Sequence, residues 1–137
     1  WYRPIELLLG AAHYGFEVDM WAVGCVIAEM AAGTPLFRGA NQIDTIFHIL
    51  RRRGRICPHA HPVLAGLPHY NADLPQFRGR PELFDAPDVL RPVESLVDAL
   101  LDYTPANRPS PSDCLMHEFC APASLSRLRK RKEAPIG

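Results

Sequence analysis

Cys57, His59 and His61 stand within the stretch CPHAH, and all three side chains carry atoms that bind metal ions. A structural zinc site draws on four ligands at wider spacing, and no second cluster completes this one. The expectation is therefore a proline-rich surface loop. His48 and His117 fall within helical patterns, and no serine or cysteine stands in a recognisable nucleophile–base arrangement, so nothing points to a hydrolase. The four cysteines form no CxxC pair. Cys25 and Cys114 lie in apolar helical patterns, and the cysteines read as small core residues of a reducing compartment, not as disulfides. Only two lysines occur, Lys130 and Lys132, both in the polar tail.

The formal charge is zero but unevenly spread. Arg127, Arg129, Lys130, Arg131 and Lys132 form the run RLRKRK, and the residues before it hold ten basic against fourteen acidic side chains. An acidic body argues against a nucleic-acid-binding domain. The basic run reads either as a nuclear import signal or acidic-partner contact, or as a solvated tail. At 137 residues and 47% hydrophobic content the chain is one domain or part of one, with enough apolar residues for a core. No charged-then-apolar leader is expected, and the longest apolar stretch, Met20 to Ala32, is interrupted by Glu29 and too short to span a bilayer. No membrane partner is expected.

The elements that must position any site read as helices. Pro4 to Leu9 is a short apolar helix with proline near its start. Glu17 to Ala32 is apolar almost all the way round, through Val18, Met20, Trp21, Val23, Val26, Ile27 and Met30, which predicts a helix buried in the middle of the fold. Gly33 suits its C-terminal cap. Asn41 can cap the next helix, in which Ile43, Ile46, Phe47 and Leu50 share one face and Arg51, Arg52 and Arg53 favour the negative end before Gly54. From Arg55 to Pro92 prolines and three histidines break the pattern into a long irregular insert. Helical spacing returns with Leu96, Val97, Leu100 and Leu101. Ser110 then caps a last helix, with Pro111 in its first turn and Asp113 three residues on, running to about Glu118. No strand and no internal repeat are apparent, and the fold class is all-α.

Two stretches carry more than periodicity. WYRPIELLLG leads into VDMWAVGCVIAEMAAGTPLFRG, then QIDTIFHIL, and YTPANRPSPSDCLMHEF follows near the end. In this order and spacing they resemble the C-terminal, large lobe of eukaryotic serine/threonine protein kinases, and within them the cyclin-dependent kinase branch. The resemblance covers residues 1–120, a partial kinase domain with its irregular insert at 55–92. Residues 121–137 form a basic C-terminal tail.

What the resemblance implies can be placed residue by residue. Trp1, Tyr2 and Arg3 match the end of the activation segment, which in the family shapes the pocket for the residue after the phosphorylated serine or threonine. That residue is proline in cyclin-dependent members. Glu6 matches a glutamate that pairs with a buried arginine, and Arg108 matches that arginine. A bidentate carboxylate is the best geometric partner for a guanidinium. Asp19 matches the aspartate that supports the catalytic loop, its alternative being a simple carboxylate favoured at a helix start, and Trp21 and Gly24 match the packing residues of that motif. Pro4-Ile5 stands where the family has Ala-Pro, which moves the missing N–H and the fixed φ by one residue and biases Arg3 away from helical angles.

Phosphoryl transfer needs a phosphate-covering loop, a lysine on the phosphates, a catalytic aspartate and metal-holding Asp and Asn residues. The corresponding GxGxxG, VAIK, HRD…N and DFG motifs do not occur in these 137 residues. The expectation is thus a kinase-lobe fragment without N-lobe, catalytic loop or magnesium-binding loop. Its parent uses ATP and magnesium to phosphorylate Ser/Thr-Pro sites, pairs with a cyclin-like regulatory subunit and works in the nucleus or cytoplasm. The chain alone carries no catalytic, cofactor or metal residues. It exposes the helix face that packs on a catalytic loop in relatives, and it offers a docking surface for partner proteins over residues 41–92. The alternative is a truncated, non-catalytic kinase relative that docks partners.

Overall fold

The computed structural model describes residues 1–80 and 91–120. The basic tail and residues 81–90 of the insert lie outside the described residues. Every element among those described is helical: α1 (Ile5–Leu8), α2 (Glu17–Ala32), α3 (Gln42–Arg53), α4 (Pro62–Ala65), α5 (Arg91–Leu100) and α6 (Pro111–Met116), with 3₁₀ turns at Pro105–Asn107 and Glu118–Cys120. No helix among the described residues is long and apolar enough to cross a membrane.

The core lies where α2 packs on α5 and α1 packs on α3. Trp21, Cys25 and Ala28 of α2 meet Ile5 and Leu9, Ile49 and Leu50 of α3, and Val97 and Leu101. The rings of Trp21 and Phe37 stack at 5.9 Å. Gly24 sits at the α2–α5 crossing, where a Cβ would lie 2.8 Å from Leu100 Cβ. That closeness explains a glycine in the middle of a helix, where it otherwise weakens the structure.

The ends of α2 fall where its sequence places them. Gly33 takes the left-handed conformation at φ 76°, and its N–H reaches the Glu29 carbonyl at 2.7 Å. The prediction that α2 is buried all round is not met. Met20, Trp21, Gly24, Cys25 and Ala28 are covered, while Val23, Val26 and Met30 are exposed, Met30 to 79%. The main partner of α2 is α5, and the face that carries Val23, Val26 and Met30 stays open among the described residues.

α3 starts as expected: Asn41 Oδ1 accepts from Asp44 N–H at 2.9 Å, and Asp44 Oδ2 accepts from Ala40 N–H at 2.8 Å. Its buried stripe is rotated from the predicted one. Thr45, Ile46, Ile49 and Leu50 face inward, Phe47 is half-buried, and Ile43 is 63% exposed. The reason is the close seat of Thr45 beside buried Gly39, where an added Cβ would lie 2.2 Å from Thr45 Oγ1. That contact turns Thr45 inward and Ile43 out.

The insert folds back on the end of α3. Arg55 N–H donates to Phe77 O at 2.8 Å and Arg80 N–H to Arg52 O at 3.0 Å. Two chain segments pass at Gly54 (φ 91°) and Gly79 (φ 79°), where a Cβ on Gly79 would lie 2.8 Å from Gly54 N. Tyr103 O–H donates to Gly54 O at 2.6 Å and fixes this corner against the region after α5.

α6 opens with a full capping box between Ser110 and Asp113. It ends at Met116, earlier than Glu118, because His117 is extended (ψ 147°). Cys25 is in the core as expected; Cys114 is not, being half-buried at the edge of a second small cluster of Met20, Leu96 and Leu100.

Candidate functional site

Arg108 is the joint of the structure. The residue follows directly on the 3₁₀ turn Pro105–Asn107, and its side chain is fully buried. Nη1 donates to Glu6 Oε1 at 2.7 Å, and Nη2 donates to Glu6 Oε2 at 2.9 Å, a parallel fork. Nη1 also donates to the Glu17 carbonyl at 3.0 Å, and Nε donates to the Asp102 carbonyl at 2.9 Å. The Trp21 ring lies 5.0 Å from the guanidinium carbon. One side chain thus binds α1, the first turn of α2 and the loop after α5. The sequence pointed to Glu6, but gave no sign of the two carbonyls, since any residue type supplies one.

Pro4 positions Glu6. Its carbonyl accepts from the N–H groups of Leu7 and Leu8 at 3.1 and 3.2 Å, which starts α1 one residue later than its ring. Proline costs nothing at this position, since the N–H it lacks has no helical partner there. The one turn of α1 that follows turns the Glu6 carboxylate inward, where Glu6 is buried.

Trp1, Tyr2 and Arg3 lie at the surface and are tied down from outside α1. Trp1 Nε1 donates to Gly39 O at 2.7 Å, and Arg38 lies over the indole at 5.8 Å. Tyr2 O–H donates to Glu29 Oε2 in α2, and that carboxylate pushes the phenol above its ordinary range. Trp1 and Arg3 line a shallow cavity of about 340 Å³ with Leu8, Gly39, Asn41, Gln42 and Thr45. These contacts, one to the last turn of α2 and one to the loop after it, were not legible in the sequence, because they join residues 27 and 38 positions apart through groups with no motif.

Asp19 is exposed in the first turn of α2, while Trp21 and Gly24 are buried. Asp19 and Arg108 therefore use opposite aspects of the same helix start: one faces solvent, the other grips a carbonyl from within.

The CPHAH stretch is committed to local structure. His61 Nδ1 accepts from Cys57 N–H at 3.2 Å, the Cys57 carbonyl accepts from Ala60 and His61 N–H, and the His61 ring meets Tyr103 edge-on at 5.2 Å. Among the described residues, no three His, Cys, Asp or Glu side chains converge as metal ligands. A second hollow, of about 480 Å³, lies between α3 and the insert, with Ile43, Phe47, His69 and Leu74 in its wall.

The protein kinase domain family matches residues 1–120. The chain is 37% identical over 126 residues to cyclin-dependent kinase 20 of Pongo abelii and of Homo sapiens, and 36% identical to that of Mus musculus. Each alignment covers 91% of this chain and 36% of the relative, so the chain spans just over a third of the length of the curated relatives it matches. With the matched residues running through α1, α2 and Arg108 alike, the chain belongs to the protein kinase domain family, and its likeness there is to the cyclin-dependent kinase branch.

Proposed function

We propose that these residues form the helical, large-lobe part of a cyclin-dependent-like serine/threonine kinase whose parent transfers phosphate from ATP to Ser/Thr-Pro sites in proteins. The observation that carries this reading is the buried fork between Arg108 and Glu6. It fixes α1 against the start of α2, while Trp1 and Tyr2, just before α1, reach Gly39 beyond α2 and Glu29 at its far end, which sets the segment in one place as a peptide-binding edge requires. In this reading Trp1, Tyr2 and Arg3 shape the pocket for the proline of the substrate. Asp19, exposed at the head of α2, accepts hydrogen bonds from a catalytic loop, and Trp21 and Gly24 keep that helix head in register. A cyclin-like subunit is the parent's regulatory partner, the exposed side of α3 and the insert dock further proteins, and the parent works in the nucleus or cytoplasm.

The residues present do not fit an ATP–magnesium site. The two lysines both lie in the tail, and the described carboxylates do not converge with other ligands. No step of phosphoryl transfer is therefore assigned to this chain, and it is inactive alone. Titration of the 137-residue chain with magnesium and ATP tests this. No specific affinity and no phosphate transfer are expected, whereas micromolar binding would overturn the assignment.

The alternative, a truncated kinase relative that docks partners, is favoured by one observation, the exposed Ile43 beside the hollow at α3. The transcript upstream of the Trp1 codon separates the two. DFG, HRD and glycine-rich motifs in frame support the kinase parent, and an initiator codon directly before Trp1 supports the docking protein.

A further inference from the structure

We propose that Cys114 and Cys120 are a paired thiol site that a hydroperoxide converts into an intramolecular disulfide, joining α6 to the turn that follows it. Both side chains are half-buried and rest on the same small cluster, Met20, Leu96 and Leu100, with Phe119 between them in sequence and in contact with the same residues. The chain between them doubles back in two tight turns. His117 N–H donates to Cys114 O at 3.1 Å, and Cys120 N–H donates to His117 O at 2.9 Å. The His117 ring braces the bend, its Nδ1 accepting from Phe119 N–H at 3.1 Å. Two thiols on one apolar patch, separated by a short braced loop, collide with each other far more often than with thiols of other molecules.

The electrostatics agree with that closeness. The Cys114 thiol is pushed up by burial, then by the charge of Cys120 and that of Asp113. A neighbouring charge acts on a thiol in this way only at short range. The other two cysteines are placed differently. Cys25 is sealed in the core and pushed up to about 12 by burial, and Cys57 lies on the insert.

Cys114, whose thiol burial holds in its protonated form, suits the second, resolving step. The Cys120 thiolate attacks one peroxide oxygen; an S–O bond forms, the O–O bond breaks, and the departing hydroxide takes a proton to become water. Cys114 then loses its proton to the sulfenic oxygen as its sulfur attacks the Cys120 sulfur. The S–S bond forms, the S–O bond breaks, and a second water leaves. Two thiols are oxidised by two electrons, and hydrogen peroxide is reduced to two waters, or an organic hydroperoxide to its alcohol and one water. The bridge pins the chain end after α6 to the patch that also holds Met20 of α2 and Leu96 of α5, so the oxidised form is the more rigid at this end.

Glu118 lies between the two cysteines and makes the test direct. The full chain is treated with hydrogen peroxide at low protein concentration, its remaining thiols are alkylated in denaturant, and it is cut after Glu118 by a glutamate-specific protease without reductant. The peptides carrying Cys114 and Cys120 are expected to stay joined, to weigh two hydrogens less than their sum, and to part on reduction. Peptides that separate before reduction, or a bridge that joins either cysteine to Cys57 or to a second chain, would overturn the proposal. Cys57→Ser, in the insert, serves as the control. The bridge is expected to form unchanged in this variant, and its loss there would equally overturn the pair.

Discussion

Arg108 and Glu6 stand 102 residues apart and meet through two parallel hydrogen bonds of 2.7 and 2.9 Å, both side chains nearly excluded from solvent. Taking one partner away leaves the other as an uncompensated buried charge, which typically costs about 3–5 kcal/mol. Arg108→Ala should therefore lower the urea midpoint sharply or prevent folding. Arg108→Lys keeps the charge but loses the fork and the reach to the Asp102 and Glu17 carbonyls, so it should also destabilise the fold. A lysine variant with the midpoint of the parent chain would show that charge alone, and not the planar geometry, joins these elements.

Gly24 tests the α2–α5 contact. An added methyl would lie 3.1 Å from the terminal Leu101 Cδ2 and 2.8 Å from Leu100 Cβ, which is fixed next to the backbone of α5 and cannot swing away. Overpacking of this kind costs about 1–3 kcal/mol, against a gain of about 1 kcal/mol in helix propensity for alanine over glycine. Gly24→Ala should come out destabilising in thermal unfolding. A raised melting temperature would mean that the two helices part easily.

The contrast between α2 and α3 shows what the sequence could tell. The ends of α2 depend on local chemistry, a carboxylate-rich first turn and a left-handed glycine, and they were legible. Its open side was not, because an all-round apolar helix states how much it can bury and not how many neighbours arrive. In α3 the cap was legible for the same local reason. The inward stripe was not, because Ile43 and Ile49 compete for the core and the choice is made by Gly39 pressing on Thr45. The Arg108–Glu6 pairing was legible only as something the family resemblance implied, and nothing local connects the two. The links of Trp1 to Gly39 and of Tyr2 to Glu29 arise only once α2 has folded beside the first residues.

Asn41 measures how much α3 owes to its cap. Its side chain satisfies the Asp44 N–H, one of the four donors a helix start leaves unpaired. Asn41→Ala should cost about 1 kcal/mol, while Asn41→Ser should cost little, since a serine oxygen can take the same bond. Thermal unfolding of the two variants checks this. Equal losses for both would place the effect in packing against Gln42 and Thr45 and not in the cap.

The cysteines predict an order of reaction with an alkylating agent, read by mass spectrometry as pH is raised. The thiolate is the species that reacts, so a lowered thiol reacts at lower pH. Cys57 is held below the ordinary thiol range first by the Ala60 and then by the His59 backbone N–H groups, which stabilise its anion. It should be labelled first, with a half-rate pH below that of Cys114, which burial and Cys120 push up. Cys25, pushed up to about 12 by burial and 1% exposed, should stay unlabelled across this range until denaturant is added. The same order links the local and the global structure. Early labelling of Cys25 without denaturant would mean that α2 opens from α1 and α3 on the labelling timescale, and that the Arg108 joint does not hold the fold closed.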